Sequence, residues 1–202
     1  MTKISRRHFL AATGAMTGSA LLSPLSGIKA ETIGISTPIV KKTRIALIGT
    51  GSRGIFMWGR DLMREYSNYI EFVGLCDINE GRVETGKRMI GVSCPTYTDF
   101  EKMMKETKPE VLIVTTMDST HHQFIIRGME LGANVITEKP MTIDEKKIQA
   151  ILDAEERTGK HCRVTFNYRY SPHRAKIWEL LRAGEIGDIT SVDFHWYLDT
   201  SH

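Results

Sequence analysis

One stretch constrains this chain more than any other: Arg44-Ile-Ala-Leu-Ile-Gly-Thr-Gly-Ser-Arg-Gly54, an apolar run that breaks into glycines and is followed by a helical pattern. It reads as strand, tight turn, helix. Gly49, Gly51 and Gly54 fit the spacing G-x-G-x-x-G, and each has a mechanical reason. The first permits the turn, the second lets backbone approach a pyrophosphate, and the third lets the helix pack close to the strand. The helix amino terminus then offers unpaired N–H groups and a partial positive charge to phosphates. Ser52 and Arg53, inside the turn, join the glycines as candidate dinucleotide contacts.

A second apolar run, Ile70-Glu-Phe-Val-Gly-Leu-Cys-Asp77, follows after room for one helix and ends in an acid. Asp77 stands 23 positions after Gly54, near the offset of roughly 20 at which a carboxylate accepts from a ribose 2′-hydroxyl. A 2′-phosphate would meet like charge there, so the expected cofactor is NAD, with NADP second. Arg82 softens that preference, and a solvated aspartate ending a strand is the bland alternative.

Further along, strands and helices alternate. A helix is expected over 53–66 and another over 80–90, capped by Asn79; a short extended piece near 95–98 leads to a helix from Asp99. Val111-Leu-Ile-Val-Thr-Thr116 is a continuous run of the kind a strand buried on both faces needs. Ser119 or Thr120 starts a helix to about 132, 134–137 is a strand, Thr142 starts a long charged helix, and 161–166 is a sixth strand. The pattern predicts an α/β fold, a doubly wound parallel sheet of the Rossmann type, over 44–166. After it, 167–202 reads as the beginning of an α+β second domain with a mostly antiparallel sheet: a helix from Ser171, then one long strand from Gly187 to Leu198. The expectation is that this second domain is begun and not finished.

The amino terminus is read apart from the fold. Residues 1–30 combine Lys3, Arg6 and Arg7 with an apolar, small-residue stretch to Leu22, the form of an export signal. Ser5-Arg6-Arg7-His8-Phe9-Leu10 resembles a twin-arginine signal, which implies export already folded and an extracytoplasmic, periplasmic destination. The apolar stretch is too short for a comfortable membrane span, so no stable anchor is expected. Residues 31–43 read as a linker. The chain carries a net +3, but 1–30 hold four basic and no acidic side chains, leaving −1 for the rest. Nothing in that balance points to nucleic acid. Cys76, Cys94 and Cys162 share no metal-ligand or C-x-x-C spacing and read as structural thiols.

Glu138-Lys139-Pro140 follows the fifth strand, at the sheet edge where α/β ligand crevices form. A lysine there could hold a substrate hydroxyl or move its proton, although a turn lysine alone reads first as a solvated side chain. Together with the glycine turn, Asp77 and Thr116-Met-Asp-Ser-Thr-His121, the set resembles the glucose–fructose oxidoreductase, inositol dehydrogenase and rhizopine-catabolism family (Gfo/Idh/MocA). Gly132-Ala-Asn-Val-Ile-Thr-Glu-Lys-Pro140, Asn167-Tyr-Arg-Tyr-Ser-Pro172 and Leu181-Arg-Ala-Gly-Glu-Ile-Gly187 are further marks.

The resemblance implies a nicotinamide-dependent oxidoreductase acting on a sugar or polyol, homo-oligomeric as a whole protein. It implies Lys139 as the active-site lysine, Gly49, Gly51, Gly54 and Asp77 on the dinucleotide, Thr116 and Glu138 near the cofactor, and Arg169 on the substrate side. His121, with His122 second, matches the family histidine, against a reading as wetted helix-start residues. Met117 departs from the proline usual there. An NAD-assisted glycosidase and a nucleotide-binding module without catalysis are the alternatives.

Overall fold

A computed structural model describes residues 41–197. The export signal, most of the linker and the last five residues lie outside the described residues. Six strands form one sheet: β1 Thr43–Ile48, β2 Ile70–Cys76, β3 Thr96–Tyr97, β4 Val111–Val114, β5 Asn134–Thr137 and β6 Cys162–Val164. Their order is β3-β2-β1-β4-β5-β6, and every pair is parallel. This is the doubly wound sheet the alternating pattern predicts.

The helices are α1, which opens as a wide π-helical segment Gly54–Asp61 and continues as Leu62–Tyr66, then α2 Glu80–Ile90, α3 Phe100–Thr107, α4 His121–Glu130, α5 Glu145–Thr158 and α6 Pro172–Arg182. A single 3₁₀ turn, Asp118–Thr120, leads into α4. No helix among the described residues is long and apolar enough to cross a membrane.

Alternation along the strands sorts the core into two layers. Ala46, Ile48, Leu112, Val114 and Val135 face Met103 and Met104 of α3, Ile125 and Met129 of α4, and Ile151 and Ala154 of α5. Ile45, Leu47, Leu75 and Ile113 face Ile55 of α1 with Val83 and Ile90 of α2. Every strand of the central trio β2-β1-β4 is thus covered on both sides, which is why the β4 run is apolar without alternation.

Three expectations change. The long charged helix starts at Glu145 instead of Thr142, because the Asp144 carboxylate accepts from the Lys147 N–H at 3.0 Å and caps it, whereas the Thr142 hydroxyl is buried without a partner among the described residues. The helix over 53–66 is π-wound for its first half. No strand forms over 187–197: a strand is defined by bonding to a neighbour, and no partner strand faces this segment among the described residues. The side chains of α6 are none of them buried.

Candidate active site at the carboxyl edge of the sheet

The strand order reverses between β1 and β4, and the segments leaving β1, β2, β4 and β5 at their carboxyl ends form one rim there. Such a switch point is where open α/β sheets hold their ligands. Backbone bonds knit the rim beyond the strands. Gly49 N–H donates to the Cys76 carbonyl at 2.8 Å, Thr115 N–H to Ile48 at 2.9 Å, and Glu138 N–H to Val114 at 3.1 Å. The Thr115 hydroxyl closes onto the Gly49 carbonyl at 2.6 Å.

Each glycine of the turn does a different job. Gly49 has φ +92°, and a side chain there would meet the Thr115 carbonyl oxygen at 2.6 Å. A Cβ on Gly54 would collide with the Gly49 carbonyl, so helix and turn are in direct backbone contact. A Cβ on Gly51 would meet nothing within 4 Å. The space above Gly51 is open, as the approach of a pyrophosphate requires. Ser52 and Arg53 lie exposed at the start of α1, where the first helical N–H groups lack intrahelical partners.

Asp77 is 5% exposed at the end of β2 and turned to the glycine turn. Its Oδ2 accepts from the Thr50 N–H at 2.9 Å and the Thr50 hydroxyl at 3.2 Å, and its Oδ1 accepts from the Asn79 N–H at 3.0 Å. The Arg82 guanidinium stands 3.6 Å from Oδ1. The acid therefore shapes the turn as well as facing the site.

Glu138 and Lys139 differ sharply although adjacent. Glu138 is 6% exposed, its Oε1 accepting from Trp58 Nε1 at 2.8 Å and ion-paired with Arg53 Nε at 3.0 Å, with the Thr165 hydroxyl at 3.4 Å. Lys139 is exposed and has no ion-pair partner among the described residues. The Lys139–Pro140 peptide is cis. Trp58 is not among the residues that the sequence singles out: with Ile55 and Leu62 it stands at i, i+3 and i+7 of the helix over 53–66, the spacing of a packed face. Its ring does pack on the α1 side of the core, but its indole N–H goes to Glu138.

His121 is 1% exposed, with Nδ1 at 2.8 Å from the Pro140 carbonyl and Nε2 at 3.0 Å from the Thr116 carbonyl. Both ring nitrogens are turned to the chain itself, so this histidine ties the β4 loop to the β5 loop. A neutral imidazole carries one N–H, so it serves one of the two carbonyls as donor. Thr116 Oγ1 accepts from the Thr120 hydroxyl at 2.9 Å. His122 Nδ1 is buried without a partner among the described residues, and burial first, then the Lys147 ammonium, lowers its pKa. Arg169 lies in a loop beyond β6, its guanidinium 5.9 Å from the Phe166 ring centre. It lines a cavity of about 570 Å³ with Trp58, Arg163, Thr165 and Tyr170. Trp58 and Thr165 also touch Glu138, so this cavity adjoins the rim.

The residues present fit a dinucleotide on three observations: open space over Gly51, the acid at the end of β2, and Glu138 held by one oxygen with Oε2 lacking a protein partner among the described residues.

Residues 43–166 match the model of the oxidoreductase family with an NAD-binding Rossmann fold (GFO_IDH_MocA). YteT of Bacillus subtilis (strain 168), a protein named as an oxidoreductase, is 36% identical over 162 residues, which is 78% of this chain and 38% of that protein. Glycosyl hydrolase family 109 protein 1 of Akkermansia muciniphila is 31% identical over 164 residues, covering 77% of this chain and 34% of its own length. The chain thus spans between a third and a half of the length of the curated relatives it matches, 34% to 45%. Among solved structures, scyllo-inositol dehydrogenase from Lactobacillus casei, with NAD(H) and scyllo-inositol bound, superposes with a TM-score of 0.65 at 20% identity, over 74% of this chain and 44% of that one. That likeness shows a shared fold.

Proposed function

The chain belongs to the oxidoreductase family with an NAD-binding Rossmann fold, and from that premise we propose that it is the nucleotide-binding part of an enzyme that oxidises a hydroxyl of a sugar or polyol. The observation that carries this reading is the rim itself: Lys139, exposed and without an ion-pair partner among the described residues, follows β5 at the same sheet edge as a glycine turn with open space over Gly51. When bound, the nicotinamide supplies the hydride acceptor. The turn and the start of α1 hold the phosphates, and Asp77 accepts from a ribose hydroxyl. Lys139 Nζ binds the substrate oxygen and favours the charge that develops on it as hydrogen leaves the carbon. The polyol dehydrogenases among the relatives support the substrate class.

NAD is preferred over NADP, since the Asp77 carboxylate repels a 2′-phosphate, and Arg82 only partly offsets that charge. The whole protein is a homo-oligomer exported by the twin-arginine route to the periplasm with its cofactor already bound. Ser5–Leu10 supports the export, and exposed apolar residues after β6, Ile177 and Trp178 among them, support further contacts for this part of the chain.

The test starts from natively produced protein. Denaturing it is expected to release NAD, and titration to show NAD bound at least about tenfold tighter than NADP, the effect of one like-charge contact. NADH formation on a panel of sugars and polyols then identifies the substrate, and Lys139→Ala is expected to lower turnover by about 10²- to 10⁴-fold, as loss of a positioned acid–base group does. Absence of any dinucleotide binding overturns the reading.

The likeness to the family 109 glycosyl hydrolase favours one second reading, an NAD-assisted glycosidase. Release of a leaving sugar with no net NADH would establish it over the dehydrogenase. Dinucleotide binding with no turnover on either substrate type would leave a binding module without catalysis.

A further inference from the structure

Glu138 is a buried carboxylate whose protein partners all converge on one of its oxygens. Trp58 Nε1 at 2.8 Å, Arg53 Nε at 3.0 Å and the Thr165 hydroxyl at 3.4 Å share Oε1, while Oε2 has no protein partner among the described residues. Burying a carboxylate is costly unless it is hydrogen-bonded, and charge-assisted donors are the effective ones. A purely structural acid would be expected to spread its donors over both oxygens. Here one oxygen is anchored and the other is left without a protein partner among the described residues.

The donors are brought together by the shape of α1. At 3.6 residues per turn, positions five apart lie roughly 140° apart around an α-helix, so Arg53 and Trp58 would point to different sides. From Gly54 to Asp61 the helix is π-wound, and its i→i+5 hydrogen bonding turns residues five apart toward the same side. The wide turn thus lets both side chains reach the same carboxylate, 80 positions on in the chain. Arg53 is itself part of the glycine turn, and its side chain is 42% exposed, so it stands both on the phosphate side and on Glu138.

We infer that Arg53 and Trp58 are positioning residues that clamp Glu138, tying the dinucleotide turn to the Lys139 loop and fixing which carboxylate oxygen stays open. The inference rests on the dinucleotide reading of the site. It gives α1 a task beyond offering its amino terminus to phosphate: occupancy of the turn is felt at Lys139 through one carboxylate.

Trp58→Phe keeps the packed ring and removes the N–H, and Arg53→Gln removes the charge paired with Glu138. Each is expected to weaken NADH binding roughly three- to tenfold, the effect of one charge-assisted hydrogen bond. In a Glu138→Gln background Trp58→Phe is expected to cost less than about twofold, and the Arg53 substitution less than it does alone, since coupled residues are not additive. The chain has three tryptophans, so ¹⁵N-indole spectra resolve Trp58, and Glu138→Gln and NADH are each expected to move its resonance while leaving those of Trp178 and Trp196 in place. Penalties that add independently of Glu138, or a Trp58 resonance indifferent to Glu138→Gln, overturn the proposal. An unmodified protein that binds no nicotinamide dinucleotide overturns the reading beneath it, whereas equal binding by the unmodified protein and both variants overturns the clamp alone.

Discussion

Gly51 and Gly54 are three residues apart and separate function from folding at the scale of single atoms. Gly51 has open space where its Cβ would be, and its φ lies outside the left-handed region, so Gly51→Ala is expected to leave thermal stability unchanged or raise it by up to about 1 kcal/mol. The added methyl stands where phosphates would approach, and dinucleotide binding is expected to fall below detection in titration calorimetry. Gly54→Ala drives a Cβ into the Gly49 carbonyl, a backbone atom that cannot swing aside, and is expected to cost about 1–3 kcal/mol in urea unfolding. The opposite pattern, with Gly51→Ala destabilising and still binding, would refute the assignment of the open side to a ligand. Asp77 combines both roles: Asp77→Ala leaves the buried Thr50 N–H unpaired and is expected to lower stability by about 1–3 kcal/mol even without cofactor.

Helix starts give an element-scale comparison. Asn79, Asp99 and Asp144 each accept from the N–H three residues on, at 2.9, 3.1 and 3.0 Å, and so cap α2, α3 and α5. The first two follow directly from the sequence, because a short polar acceptor stands immediately before a helical pattern. For α5 the sequence reading starts at Thr142, whereas in the folded chain the Asp144 carboxylate makes the capping bond. Asp144→Ala is expected to lower the thermal unfolding midpoint, and Thr142→Val to leave it unchanged, since that hydroxyl is buried without a partner among the described residues. The Lys147 N–H, followed by its ammonium, holds the Asp144 carboxyl below the usual carboxylate range. Its contribution is therefore present above the unfolded pKa and fades as pH falls through the lower folded value, and in Asp144→Ala that part of the acid loss is expected to vanish.

At the scale of the whole molecule, the three thiols are expected to contribute to a loss of stability at alkaline pH. Burial pushes Cys76 and Cys162 up to about 12 and Cys94 to about 11. A thiol raised in the folded state stabilises fully below its unfolded value, near 9.0, and loses that contribution as pH rises toward the folded one. Stability is expected to decline between about pH 9 and 11, and replacing Cys94 with Ala to flatten part of the decline. In the native protein all three cysteines are expected to react slowly with Ellman's reagent at pH 8, and quickly in guanidinium, because the thiolate is the reacting form. Rapid native labelling would show that the two core layers open more readily than their packing implies.

The sequence by itself determined the sheet, its turn and its rim, since these rest on local spacing: glycines where backbone must approach, an acid a fixed distance on, and apolar runs without alternation where both faces are covered. It did not determine how the rim is held together. The partners of Glu138 are Arg53, Trp58 and Thr165, remote in sequence and joined only when β1, β5 and β6 are in place. Trp58 at helical spacing reads as core, because the pattern of apolar side chains carries no sign of where an indole N–H will point or that α1 will be π-wound. His121 reads as a site histidine, and only the folded chain shows both its nitrogens on the carbonyls of Thr116 and Pro140. Local geometry is written in neighbouring residues, whereas the pairing of buried polar groups is decided by which distant segments the sheet brings within hydrogen-bonding reach.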